Sequence, residues 1–186
     1  MKRCLDLILC GLALLILLIP MSLIAIAVRL TSPGPILFWS MRVGKNNVHF
    51  LMPKFRTMQI DTPNVATHLL TGAQSYLTPI AGFLRKSSLD ELPQLWSVLL
   101  GQMSFVGPRP ALYNQDDLIA MRSAKGIEVL LPGITGWAQV NGRDELDLEQ
   151  KVQLDFEYLQ RRSTPFDCYI LFLTGMKVLG REGVAH

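Results

Sequence analysis

Leu7-Ile-Leu-Cys-Gly-Leu-Ala-Leu-Leu-Ile-Leu-Leu-Ile-Pro20-Met-Ser-Leu-Ile-Ala-Ile-Ala-Val28 is a run of 22 residues without a charge. As a helix it would be about 33 Å long, enough to cross the hydrocarbon of a bilayer. The chain stays apolar past Pro20 through Ile24, Ile26 and Val28 and offers no small-x-small cleavage site. It therefore reads as a retained anchor, not a removed signal. Pro20 sits near the middle, where it deletes a helix hydrogen bond and crowds the preceding turn. Lys2 and Arg3 precede the run, and Arg29, Arg42 and Lys45 follow it, which by the positive-inside rule keeps both flanks cytoplasmic. A kinked helix that dips into one leaflet and returns satisfies both observations. A straight span with a proline kink is the alternative.

The remainder is sized for one compact domain: residues 1–32 form the anchor and residues 33–186 a cytosolic domain. Net charge is only +3 with 49% apolar residues, a balance suited to anionic lipid or a phosphorylated ligand and not to nucleic acid. Cys4, Cys10 and Cys168 form no CxxC and read as reduced; His49, His68 and His186 show no metal-ligand spacing.

Working outward from the anchor, Ser32-Pro-Gly-Pro35 ends the helix. Ile36 to Arg42 and Val48 to Phe55 are β-prone and flank Gly44-Lys-Asn-Asn47, a hairpin pattern. Gln59 to Pro79 reads as a loop with one short helical turn and as a candidate lid. Ile80 to Arg85 should be helical. Leu92, Leu95, Trp96 and Leu99 then form an apolar stripe stopped by Gly101. Leu148, Val152, Phe156 and Leu159 mark one face of an amphipathic helix between Leu146 and Arg162. Thr164-Pro165 opens a last helix, apolar nearly all round, that is either buried or against lipid. The fold expected is α+β, predominantly helical, with one short hairpin and amphipathic helices at the membrane interface.

Chemistry concentrates in Ser88-Leu-Asp-Glu-Leu-Pro-Gln-Leu95 and Val106-Gly-Pro-Arg-Pro110. Asp90 and Glu91 lie between the basic pair Arg85/Lys86 and Arg109. An ionised carboxylate can attack as a nucleophile while its neighbour moves a proton, and cations beside them suit a reaction between anions. The bland reading is a capping box, Ser88 with Glu91. Pro93, more comfortable as the first residue of a helix, would instead leave both acids ahead of it; catalysis and capping both fit. Arg42, Lys54, Arg56, Arg85, Arg109 and Arg143 are the cations that could meet phosphate. Prolines on both sides of Arg109 restrict its backbone, and its planar fork suits bidentate binding. Pro132-Gly-Ile-Thr-Gly136, with Gly133 and Thr135, and Asn141-Gly-Arg143 either offer backbone N–H groups to a nucleotide or are plain turns. Trp137 either stacks on a base or packs. GxxxxGK[ST], GxGxxG and GxSxG are all missing, so P-loop, dinucleotide and serine-hydrolase chemistry lack their signatures.

Arg42-Val-Gly44, Lys54-Phe-Arg-Thr-Met58, Ser88 to Leu95, Met103 to Pro110 and Pro132 to Arg143, in this order behind an apolar segment, resemble the monotopic phosphoglycosyl transferases of the bacterial sugar transferase family. The short length resembles members made of the catalytic domain alone. Gln102, Leu131 and the pair Ile19-Pro20 depart from residues common in the family. The resemblance implies transfer of a sugar-1-phosphate from a UDP-sugar to undecaprenyl phosphate with release of UMP. It implies Asp90 as nucleophile, an aspartyl-phosphosugar intermediate, Glu91 as proton acceptor, Arg109 on the phosphate, and Mg²⁺ near Asp90. It further implies a re-entrant Pro-broken anchor, with residues 33–186 as a catalytic domain on the cytoplasmic face of the bacterial inner membrane. Membrane lipid would be a partner, and downstream glycosyltransferases further ones. A membrane-anchored scaffold that binds nucleotide-sugar without catalysis is the competing reading.

Overall fold

The computed structural model describes residues 2–60, 62, 73–142 and 145–180. The apolar run lies within one long helix, α1 (Lys2–Thr31), which continues through Pro20. Its contacts recur every three or four residues along one side. Lys2 and Asp6 bond to the globular part. Cys10, Ala13, Leu14 and Leu17 then pack around Phe50, Met52, Leu95, Val98 and Met103. Met21, Ile24, Ala25 and Val28 pack with Phe55 and Leu84. The opposite side carries Leu12, Leu15, Ile16, Ile19, Leu23 and Ile26, all exposed. The helix thus lies along the domain and turns a continuous apolar strip outward.

β1 (Leu37–Val43) and β2 (His49–Phe55) pair antiparallel from Leu37↔Phe55 to Val43↔His49. They are joined by a 3₁₀ turn in which Asn46 and Asn47 take positive φ, as a hairpin of this sequence requires. A second sheet is parallel and minimal, β3 (Ser104–Val106) beside β4 (Gly133–Thr135). The other helices are α2 (Ala81–Lys86), α3 (Leu95–Leu99), α4 (Asp116–Ala124), α5 (Trp137–Val140), α6 (Leu148–Arg161) and α7 (Thr164–Gly180). A predominantly helical α+β fold with one short hairpin is what the sequence predicted.

Three local expectations need correction. The helix after the acidic pair begins at Leu95 and not at Pro93, which sits inside a 3₁₀ segment, Leu89–Gln94. The stripe of Leu92, Leu95, Trp96 and Leu99 divides: Leu95 is buried with Val98, while Trp96, Leu99 and Leu100 face outward. The predicted face of α6 holds at Val152, with Phe156 and Leu159 packed against the same cluster; Asp155 and Tyr158 are buried as well, and Leu148 alone of that face lies at the exposed edge. The reciprocal capping box is at Asp147 and Gln150, not at Ser88. The lid expected between Gln59 and Pro79 falls largely outside the described residues; Ala73–Tyr76 forms a 3₁₀ turn there.

Candidate active site

The site is built on a 3₁₀ segment that leaves α2 through Ser88. Ser88 adopts φ +55 and makes no capping bond with its side chain, so the capping reading is not realised. A left-handed serine costs on the order of 1 kcal/mol, and the surrounding packing holds it there. The turn presents two neighbouring carboxylates in different surroundings. Glu91 Oε1 accepts from Lys54 Nζ at 2.7 Å and from Arg109 Nη2 at 2.8 Å. Burial alone would raise its pKa, but Arg109 and Lys54 outweigh burial and hold Glu91 far below the usual carboxylate range. Asp90 is also buried, at 8% exposure, yet among the described residues no side chain hydrogen-bonds or ion-pairs with its carboxylate. Burial raises its pKa, and Glu91 adds to the rise, while Lys54 and Arg85 oppose it.

Around the pair stand four cations predicted from sequence. Arg42 donates to Ser40 Oγ at 3.0 Å and to the Pro110 carbonyl at 3.2 Å. Burial, aided by Arg109, lowers it to about 10. Lys54 is lowered by burial, with Glu91 opposing. Arg85 donates to Thr57 Oγ1 at 3.1 Å and is near enough to feel Asp90. Arg109 completes the group through Glu91. Three guanidinium groups and an ammonium thus gather about two carboxylates, leaving a surplus of positive charge suited to an anionic ligand.

Other predicted residues do not join them. Arg56 is 5% exposed and donates to the carbonyls of Pro35 at 2.7 Å and Ser32 at 2.9 Å. It clasps the chain leaving α1, which is a structural role. Gly133 donates its N–H to Pro108 at 2.9 Å, and the Thr135 hydroxyl pairs with that of Thr174 at 2.8 Å. Neither is available to a nucleotide. A Cβ at Gly107, Gly133 or Gly136 would collide with backbone of the facing strand or loop, so these glycines serve close strand contact and not phosphate binding. Arg143 lies outside the described residues. Trp137 packs on Phe166 at 5.1 Å and donates to Glu157, so it is a packing residue. Sequence reasoning gave no role to Thr57, although it lies within Lys54-Phe-Arg-Thr-Met58, and missed Ser40 and Arg122, which no motif flags. It also missed Asp6, whose Oδ1 accepts from Ser104 Oγ and Phe105 N–H at 3.0 Å each.

Such a molecule is, by class, a chain with a long apolar helix packed against the body that carries a carboxylate pair ringed by cations. Residues 1–181 match the family described as Bacterial sugar transferase, and the chain belongs to that family. It is 39% identical over 184 residues to the UDP-glucose:undecaprenyl-phosphate glucose-1-phosphate transferase of Escherichia coli K12, covering 95% of this chain and 40% of that protein. It is 42% identical to the undecaprenyl-phosphate glucose phosphotransferase of Komagataeibacter xylinus, over 93% of this chain and 35% of that one. An uncharacterized sugar transferase, EpsL, of Bacillus subtilis is 43% identical over 84% of this chain and 76% of its own length. The chain therefore spans about two-fifths or less of the first two relatives.

Proposed function

We propose that this chain transfers a sugar-1-phosphate from a UDP-sugar to undecaprenyl phosphate, in two steps and through Asp90. The observation that carries the reading is the division of labour between adjacent carboxylates. Glu91 is committed to two cations, whereas among the described residues no side chain hydrogen-bonds or ion-pairs with the Asp90 carboxylate, which sits near Lys54 and Arg85. An Asp90 Oδ attacks the sugar-linked phosphorus, forming an O–P bond as the bond to the bridging oxygen breaks; UMP leaves with that electron pair. A phosphate oxygen of the lipid then attacks the same phosphorus and releases the carboxylate. Asp90's raised pKa marks it as more basic than a solvated aspartate, which favours nucleophilicity once it is ionised.

The resemblance gives Glu91 the proton of the lipid phosphate. A carboxylate held this far down is a weak base, so that role requires incoming phosphates to draw Lys54 and Arg109 away first. The same exchange would load the phosphates onto the cations and raise the proton affinity of Glu91.

Mg²⁺ fits this donor set in a limited way. Among the described residues no cluster of three metal-ligating side chains exists, and Asp90 is the carboxylate not already paired. Magnesium characteristically takes one or two carboxylates and completes its shell with water and substrate phosphate. Bound there, it would offset the repulsion between carboxylate and diphosphate.

Topology is part of the proposal. A helix docked along its length on a domain rich in charges cannot cross the bilayer without carrying that domain into hydrocarbon. Both its ends bond to the same body, Lys2 and Arg3 at one end and the Ser32 turn at the other. This supports a helix that stays in the leaflet it enters, with both ends on one side, and the basic flanks favour the cytoplasmic face for residues 33–186. The test is UMP release across a panel of UDP-sugars, with and without undecaprenyl phosphate and with magnesium chelated. Multiple turnovers only with sugar, lipid and metal all present support the reading. Binding of UDP-sugar with no UMP from any combination would favour the non-catalytic scaffold.

A further inference from the structure

The loop that carries Arg109 is fixed by its carbonyls. Pro108 and Pro110 have no N–H, so the C=O groups are most of what this stretch can use for bonding. Each is taken by a different element. Gly133 N–H donates to Pro108 at 2.9 Å, Arg122 Nη1 to Arg109 at 2.9 Å, and Arg42 Nη1 to Pro110 at 3.2 Å. Gly133 belongs to β4 and Arg42 to β1; Arg122 comes from α4.

Arg122 is itself held. Its Nε and Nη2 both donate to Asp155 Oδ2, at 3.0 and 2.6 Å, and Asp155 is 1% exposed on α6. A buried ion pair whose only task was joining α4 to α6 would be matched by well-packed apolar residues. Here the third edge of the guanidinium leaves the pair and reaches the peptide of Arg109. A planar fork serves the carboxylate and the carbonyl on two other elements in fixed directions; an ammonium can reach two acceptors but has no such fixed spread.

We propose that Arg122, oriented by Asp155, is a positioning residue that sets the direction from which Arg109 presents its guanidinium to Glu91 and to a substrate phosphate. The inference rests on the reading of Arg109 as a phosphate-binding group. Neither Arg122 nor Asp155 touches the reacting atoms.

The test is a double-mutant cycle on the whole chain in lipid nanodiscs, with Arg122→Lys, Arg109→Lys and both together. UMP-release kinetics, inorganic pyrophosphate binding by calorimetry and the thermal midpoint are read on each. Misaiming a binding group by about 1 Å costs roughly ten- to a hundredfold, so Arg122→Lys should raise the KM for UDP-sugar and weaken pyrophosphate by that order, with the midpoint nearly unchanged. In the Arg109→Lys background the same change should add less than about twofold, since the two act through one group. Multiplying effects in the double variant, or losses that track a falling midpoint, would overturn the proposal. If Arg122→Lys does not fold, Arg122→Met with Asp155→Leu removes both charges and the cycle is repeated with that pair. Wild-type protein that binds pyrophosphate without releasing UMP would sink the transferase reading alone, and the cycle is then decided on pyrophosphate affinity. Wild-type protein that does neither overturns both.

Discussion

At Glu91 one oxygen serves two cations, Lys54 at 2.7 Å and Arg109 at 2.8 Å, and this has consequences for pH and stability. Glu91→Gln leaves the two cations facing each other without an anion and should cost about 3 kcal/mol, the usual penalty for breaking a buried pair, read as a lowered unfolding midpoint. Because the folded-state pKa of Glu91 lies below its ordinary 4.5, its contribution is complete above that value and is lost as pH falls below it. Wild-type stability should drop on acidification there, and the Gln variant should lose that part of the slope. Asp90 has the opposite sign: its raised pKa moves the acid limb of the rate above that of a solvated aspartate, whose ordinary value is 3.8. The pH profile of kcat/KM, which reports groups of the free enzyme, checks this. Most of this cluster was legible in the sequence, because short motifs mixing acids, arginines and prolines have few structural uses. Arg56 was not. It follows Lys54 by two, which in a strand would share its side, but β2 ends at Phe55 and Arg56 turns back to α1. Thr57, in turn, is an ordinary polar residue until Arg85 is seen bonded to it.

Among the elements, the hairpin, α1, α6 and α7 announce themselves by periodicity and turn residues, whereas β3 and β4 do not. Three residues are too few to show a period of two, and their parallel pairing, Ser104↔Gly133 and Val106↔Thr135, joins segments far apart in sequence. Glycine spacing likewise cannot tell a backbone that approaches a ligand from one that approaches another backbone. The structure gives the second answer at Gly107, where a Cβ would strike the Leu131 carbonyl. Gly107→Ala should therefore push β3 from β4, misplace Arg109, and lower activity at least tenfold, along with the unfolding midpoint. A matched Gly82→Ala, where a Cβ meets nothing, should leave both unchanged. α4 escaped notice because Leu118 is its one buried residue; its importance lies in Arg122.

Seen whole, the chain couples anchor and site through one short path. Lys54 reaches Glu91, Phe55 packs with Ile24 and Val28, Arg56 closes the turn after α1, and Thr57 holds Arg85. Four consecutive residues thus tie the end of the apolar helix to both sides of the carboxylate pair. On the proposed function this arrangement suits transfer between a water-soluble donor and a lipid acceptor, since the same contacts that seat the helix would set the site beside the bilayer. Topology follows from it: native Cys4 and an introduced Lys45→Cys, with Cys10→Ala and Cys168→Ser to remove the other thiols, should label from the same side of sealed inverted vesicles. Labelling from opposite sides would contradict a helix that stays in the leaflet it enters. The covalent step is the centre of the account, and intact-protein mass after incubation with UDP-sugar and magnesium, without lipid, tests it most directly. The account predicts a gain of one sugar-phosphate that Asp90→Asn abolishes and that undecaprenyl phosphate discharges. UMP release by the wild type with no such adduct, or an adduct that persists in Asp90→Asn, would contradict it.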